Sequence, residues 1–258
     1  MIRLKTAGEI DGIARAGRIV SDTLAHVAER ALPGVSTGAL DRAAEAFIRS
    51  HDGAIPAFKG LYDFPGTLCT SVNEEVVHGI PSERRELAEG DVLKVDVGVK
   101  LGGLFADAAV SIPIGPQKTN TDRLLDATQR GLSAGIDAAR VGATIGDVGA
   151  AIQRVVEAEG FSIVRELVGH GLGYLPHEDP QVPNYGRPGS GPRIQEGLVI
   201  AIEPMVNLGS REVRTLDDGW TVVTADGSLS AHFEHTVAVT SEGPRVLTGV
   251  CPRVTIQE

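Results

Sequence analysis

Residues 89–96 read EGDVLKVD and residues 196–203 read EGLVIAIE: the same Glu-Gly entry into an apolar run that ends in a carboxylate, 107 positions apart. An acid at the end of a strand-like apolar run is costly unless it is paired or bound to a cation. Finding the arrangement twice points to a duplicated unit, and further matches fall in the same order. GVSTGAL from Gly34 matches GATIGDV from Gly142 at an offset of 108, and Thr6, Asp11 and Arg15 are echoed by Thr121, Asp126 and Arg130 at an offset of 115. His78-Gly79 has a counterpart in His170-Gly171. Each half reads helix, helix, strand, acidic strand, and neither half is a short-period solenoid. The expected architecture is α+β: a single catalytic domain over 1–258, in two related halves of about 1–116 and 117–258, with its acids facing across a pseudo-twofold axis.

Local patterns supply the elements. Thr6 and Glu9 form a capping box, after which Ile10, Ile13, Gly17, Val20, Leu24 and Val27 share one helical face until Pro33-Gly34. A second helix begins near Gly38 with a stripe of Leu40, Ala43, Ala44, Phe47 and Ile48. The run IPAFKGLYDFPGTLCT (55–70) has no period and reads as a loop with an apolar side suited to lining a pocket. Asp91–Val99 and Leu104–Ile112 form a hairpin about Gly102-Gly103. That centre pairs Gly98 with Asp107 and puts Asp107 diagonal to Asp96 on one face, roughly 7–8 Å apart at the backbone. Glu203 and Glu234, the latter in AHFEHTVAVT, are the acids of the second half.

Four acids cannot all stay ionised side by side without a cation. Two divalent ions would supply the charge. With His170, from the glycine-rich VGHGLGYLPHEDPQVPNYG (168–186), the set suits Mn, Fe, Co or Zn, and the imidazole argues against Mg or Ca. A water bridging two such ions loses a proton near neutral pH and becomes a nucleophile.

Composition narrows the setting. A chain of 258 residues with 42% hydrophobic content can bury a sizeable core, and 24 basic against 34 acidic residues, with no basic run, leave no track for nucleic acid. The N-terminal stretch lacks a signal-type apolar core, and no run approaches the ~18 apolar residues of a membrane span. Two cysteines, Cys69 and Cys251, are too few for a disulfide framework. A cytoplasmic protein is expected.

The segments NEEVVHGIP (73–81), KVDVG (94–98), GHGLGYLPHEDPQVPNY (169–185), IEPM (202–205) and SLSAHFEHT (228–236) resemble type I methionine aminopeptidase of the short bacterial form, over nearly the whole chain. The resemblance implies the "pita-bread" metallopeptidase fold, a curved antiparallel sheet flanked by helices. It implies Asp96, Asp107, His170, Glu203 and Glu234 as ligands of two metals, with Asp107 and Glu234 bridging. Glu203 relays a proton, and His78 and His177 contact substrate. Cys69, Trp220 and the Phe58–Phe64 segment line a methionine pocket, while Asn73, Glu75 and Ser230 offer carbonyls to one monovalent cation. The expected reaction removes N-terminal methionine from nascent chains whose second residue is small. A transient ribosome contact and a monomeric state are expected with it, and no membrane partner.

Some positions depart from the family pattern. Pro176 and Leu167 stand where aromatics are common, and Leu61 and Phe64 replace frequent tyrosines. Ala108-Ala109 follows Asp107 where a hydroxyl is usual, so Asp107 is expected to be less firmly oriented and one metal more loosely held. Two other readings are weighed. A proline-directed peptidase usually carries an extra N-terminal domain, for which a first repeat starting at Thr6 has no room, and a catalytically dead peptide-binding module should have lost a ligand.

Overall fold

The structure, a computed structural model, describes residues 1–249, so Cys251 and the end of the second half lie outside the described residues. The first half contains α1 (Ala7–Ala28), α2 (Thr37–Arg49), β1 (Ala54–Pro56), β2 (Leu68–Val72), β3 (Glu75–Val77), β4 (Val92–Leu101) and β5 (Leu104–Pro113). The second contains α3 (Thr119–Ala138), α4 (Ile145–Ala158), β6 (Ser162–Ile163), β7 (Gly169–Gly171), β8 (Glu178–Val182), β9 (Val199–Ile202), β10 (Met205–Asn207), β11 (Val213–Thr215), β12 (Val222–Thr224), β13 (Ser230–His232), β14 (His235–Thr240) and β15 (Gly243–Val246). Strand pairing is antiparallel throughout. Two larger sheets, β1-β4-β2 with β5 on β4 and β15-β14-β9-β7-β8, carry the acids. Of the smaller sheets, β13-β10-β6 lies within the second half, whereas β11-β12-β3 joins the halves through β3.

α1 starts where the capping box places it, with the Glu9 carboxylate accepting from the Thr6 amide at 2.8 Å. The face from Ile10 to Val27 is buried against β4 and β5. Along α2, Leu40, Ala44 and Ile48 are buried, whereas Ala43 and Phe47 are only half-buried. Phe47 is held at the rim by stacking on His26, 4.5 Å between ring centroids.

The duplication extends to the backbone. In the first half Gly34 N–H donates to Leu87 at 2.7 Å and Leu87 N–H returns to Val35 at 2.9 Å; in the second, Gly142 donates to Ile194 at 3.0 Å and Ile194 returns to Ala143 at 2.8 Å. Both Gly90 (φ 91°) and Gly197 (φ 85°), which open the acidic strands, adopt the left-handed conformation that favours glycine. The Thr6–Thr121 match does not extend to capping. Lys118 is the N-cap of α3, and Thr121 lies buried inside its first turn, because the Lys118 carbonyl already accepts Thr121 N–H.

The hairpin has the expected register, Gly98 opposite Asp107 and Asp96 opposite Ala109. The 55–70 stretch is more ordered than its composition suggests. Leu68–Val72 is a buried strand, with Cys69 opposite Asp96. Its burial on both faces removes the alternation by which a strand is recognised.

The N-terminal segment is tied to the second half by an enclosed ion pair. Lys5 Nζ lies 2.8 Å from Glu178 Oε2, with the two side chains 0% and 3% exposed. Glu178 Oε1 accepts the amides of Tyr174 and Leu175 at 2.7 and 2.9 Å, so one carboxylate organises the loop that carries His177. Lys5→Met should cost about 3–5 kcal/mol of unfolding free energy, since it leaves a buried carboxylate without its cation. Equilibrium urea unfolding measures this, and a loss under about 1 kcal/mol would mean that water compensates Glu178.

Candidate metal centre

The hairpin and β9/β14 bring their acids together by the same geometric device. β14 pairs with β9 so that His235 faces Ile202, which carries Glu203 and Glu234 past the last paired residues on adjacent chains. Asn184 Nδ2 donates to the Glu203 carbonyl at 3.0 Å and fixes the backbone there. Across the halves, Glu234 N–H donates to the Ala109 carbonyl at 2.9 Å. Asp96, Asp107, His170, Glu203 and Glu234 line one cavity of about 710 Å³. Within it, one ligand atom each from Asp107, His170 and Glu234 lies within 4.8 Å of the others.

The imidazole is informative. His170 Nδ1 lies 3.0 Å from the Gly171 carbonyl, which can only accept, so that nitrogen carries the proton. Burial pushes the His170 pKa down, keeping the ring neutral with a lone pair on Nε2. That lone pair points at Asp107 Oδ2, 3.7 Å away, and Glu203 Oε1, 3.6 Å away. Three acceptors converging in this way require a cation or added protons. In the metal-free protein protons do it: Asp96, Glu203 and Glu234 are raised well above the usual carboxylate range by burial and then by the neighbouring carboxylates, Asp107 acting on all three. Asp107 is raised to about 6 by burial, against the His177 charge and the Thr236 hydroxyl, which hold it down. Asp96 Oδ1 is buried without a hydrogen-bond partner among the described residues. Hard carboxylate oxygens, one imidazole lone pair and an orphaned buried oxygen fit divalent ions.

Beside the acids the cavity has an apolar wall. Phe64 meets Trp220 edge to face, 5.0 Å between centroids, and Trp220 lies 6.5 Å from His78. The buried Cys69 thiol, pushed well up by burial and by the charges of Asp96, Glu234 and Asp41, stays protonated and behaves as an apolar lining group. His78 holds a left-handed backbone at φ 59°, strain of a kind concentrated at functional sites. His177 stands exposed at the mouth, its ring 4.5 Å from that of His170 and stacked at 6.0 Å on Tyr62. Tyr62 thus supplies an aromatic rim although Leu61 and Phe64 stand where tyrosines are frequent.

Three contributors escape a reading of the sequence. Thr236 Oγ1 accepts from Asp107 N–H at 3.1 Å and lies 3.1 Å from Asp107 Oδ1, so the orienting hydroxyl arrives from the other half. Ala108 points into the apolar core on the opposite face of β5, where a hydroxyl could not reach the carboxylate. The expectation of a loosely oriented Asp107 is therefore corrected. His232 is buried, drawn down to about 3 by burial, and its Nε2 lies 3.8 Å from Glu203 Oε2. The spacing His232, Glu234, Thr236 is the signal that would have found two of these, since alternate residues of an extended chain share a face. Asn184, held by no such periodicity, gives none.

A model of metallopeptidase family M24 matches residues 11–241. The chain is 52% identical to a methionine aminopeptidase of Clostridium perfringens, over 96% of this chain and 99% of that one. A solved methionine aminopeptidase from Thermotoga maritima is similar with a TM-score of 0.95 at 42% identity, covering 97% of this chain and 100% of that one. A prolidase from Pyrococcus horikoshii shares the fold at TM-score 0.76 and 20% identity, over 96% of this chain and 63% of that one.

The raised carboxyls carry a sign. A group that binds protons more tightly folded than unfolded stabilises the metal-free protein fully below its unfolded value of about 4, and that contribution is lost as pH rises through the folded value. Asp107 loses it between about 4 and about 6, and Asp96, Glu203 and Glu234 lose theirs in the same direction as pH rises. A divalent ion needs these groups ionised, so its binding must expel the protons. Adding Mn or Co to the metal-free protein near neutral pH should release at least ~1 proton per chain. Weakly buffered dye titration reads the release; its absence would mean a cluster already ionised.

Proposed function

The chain belongs to metallopeptidase family M24, and on that premise we propose that it is a metal-dependent aminopeptidase that removes N-terminal methionine from peptides whose second residue is small. The observation that carries the reading is the His170 lone pair converging with the Asp107 and Glu203 carboxylates beside a thiol and aromatic wall. Asp96, Asp107, His170, Glu203 and Glu234 would hold two divalent ions of the Mn, Fe, Co or Zn type. Bound there, such ions polarise the scissile carbonyl and lower the pKa of water.

The remaining work falls to this chain's own residues. Glu203, set within 4 Å of two imidazoles, accepts the proton of the attacking water and passes it on to the departing amine. Desolvation of the inner side of its ring and the nearby His170 imidazole lower the His177 pKa, against Asp107; this favours a neutral ring able to donate a hydrogen bond to the oxygen that gains charge in the tetrahedral stage. His78, lowered by burial and then by His177, is likewise neutral and suited to bond the peptide beyond the scissile group. An unbranched thioether matches the polarisable wall of Cys69, Phe64 and Trp220. The same proposal includes nascent chains in the cytoplasm as the substrate pool, a transient ribosome contact and a monomeric enzyme.

Hydrolysis of Met-Ala-Ser against Xaa-Pro peptides in each metal tests the substrate, and cleavage confined to Xaa-Pro would overturn it. Glu203→Gln should lower kcat by roughly 10²–10⁴-fold at saturating metal. His177→Ala should lower kcat by more than it raises KM, the signature of a contact made mainly in the transition state. The opposite split in steady-state kinetics would leave His177 a binding residue alone.

A further inference from the structure

Lys94 is the largest wholly enclosed side chain among the described residues, with 1% of its surface exposed. Its Nζ donates to the Asn73 carbonyl at 2.6 Å. The same oxygen accepts Ser230 N–H at 3.1 Å. Asn73 sits between β2 and β3 at φ 56°, pinned by its Nδ2 on Asp91 Oδ1 at 2.8 Å and by Val92 N–H on its Oδ1 at 2.9 Å. The resemblance to the methionine aminopeptidases implies a monovalent cation on the carbonyls of Asn73, Glu75 and Ser230. A carbonyl oxygen has two lone pairs, and both of Asn73's are in use. A free cation therefore does not fit here.

We propose that Lys94 is a tethered replacement for that cation, its ammonium holding the Asn73 carbonyl so that the site assembles without sodium or potassium. The placement gives it leverage. Lys94 lies on β4 two residues before Asp96, and through Asn73 it reaches Ser230, the first residue of the strand that leads to Glu234. One ammonium thereby links β4 of the first half, through Asn73, to β13 of the second. Burial draws the Lys94 pKa down to about 7, with Glu75, Glu74 and Asp91 pulling it back up and Arg85 opposed, so the melts are run on the acid side of that value. Lys94 is a positioning residue and touches no substrate.

Thermal melts of the protein as purified, at about pH 6, in potassium, sodium or tetramethylammonium chloride of equal ionic strength, test the proposal. The Tm should agree within about 1 °C in all three, whereas a Tm about 3 °C or more higher in potassium or sodium would overturn it. Lys94→Ser opens the space, so its Tm should fall by about 5 °C or more in tetramethylammonium and recover at least half of that in potassium or sodium. A fall that neither ion reverses, or no fall, would reduce Lys94 to a packing residue. Should the variant not fold, anomalous scattering from parent crystals grown in rubidium chloride decides: rubidium on the Asn73 carbonyl overturns the proposal, and none there supports it. These readouts are stability and ion occupancy, so their failure is distinct from any failure of the catalytic reading.

Discussion

Four carboxyl groups held around one small volume repel one another strongly in a medium where water cannot screen them. The protein accepts that repulsion and builds a frame stiff enough to keep the groups from moving apart. Two of them lie on a hairpin whose pairing runs unbroken from Val92–Pro113 to Leu101–Leu104, and two where β9 and β14 end side by side. Protons relieve the crowding in the metal-free protein, and bound divalent metal would relieve it in their place. The cluster is therefore a place where charge must be supplied from outside, and that requirement is what makes it a binding site.

Neither half could hold its acids in place alone. The bonds that cross between them are buried and polar: Thr236 hydroxyl with Asp107, Ser111 Oγ with the His232 carbonyl at 2.8 Å and its amide at 2.9 Å, and Glu234 N–H with Ala109. Such bonds fix register, because a slip by one residue would leave each donor unsatisfied in an apolar setting. They also couple the sites: moving the Asp107 carboxylate requires moving Thr236, and with it the strand that carries Glu234.

The sequence made the duplicated plan and the five acid and imidazole positions legible, since strand alternation and a glycine-centred turn fix register with short-range rules. Gly98 opposite Asp107 follows from counting residues, and the space left by its missing side chain is used by the ring of Phe58, which an added Cβ would meet at 2.6 Å. What stayed hidden depends on contacts between distant segments. Nothing local says that Thr236 would orient Asp107, that Asn184 would fix Glu203, or that Lys94 would be swallowed whole in a strand that reads apolar. β2 was missed for the opposite reason, its uniform burial leaving no period to detect.

The two halves also differ in an instructive way. At the repeat offset of 107, Asp96 corresponds to Glu203, and Lys94 to Ala201, which is wholly buried. A pair of identical subunits around a twofold axis must carry every residue twice, so an internal ammonium near one acid would reappear near its mate and an imidazole ligand would be doubled. A single chain is free of that obligation. The lysine stands on one side while the other keeps a small apolar residue, and of the counterparts His78 and His170 only His170 is set against the acids, so the single chain carries an asymmetry of charge that no homodimer can encode.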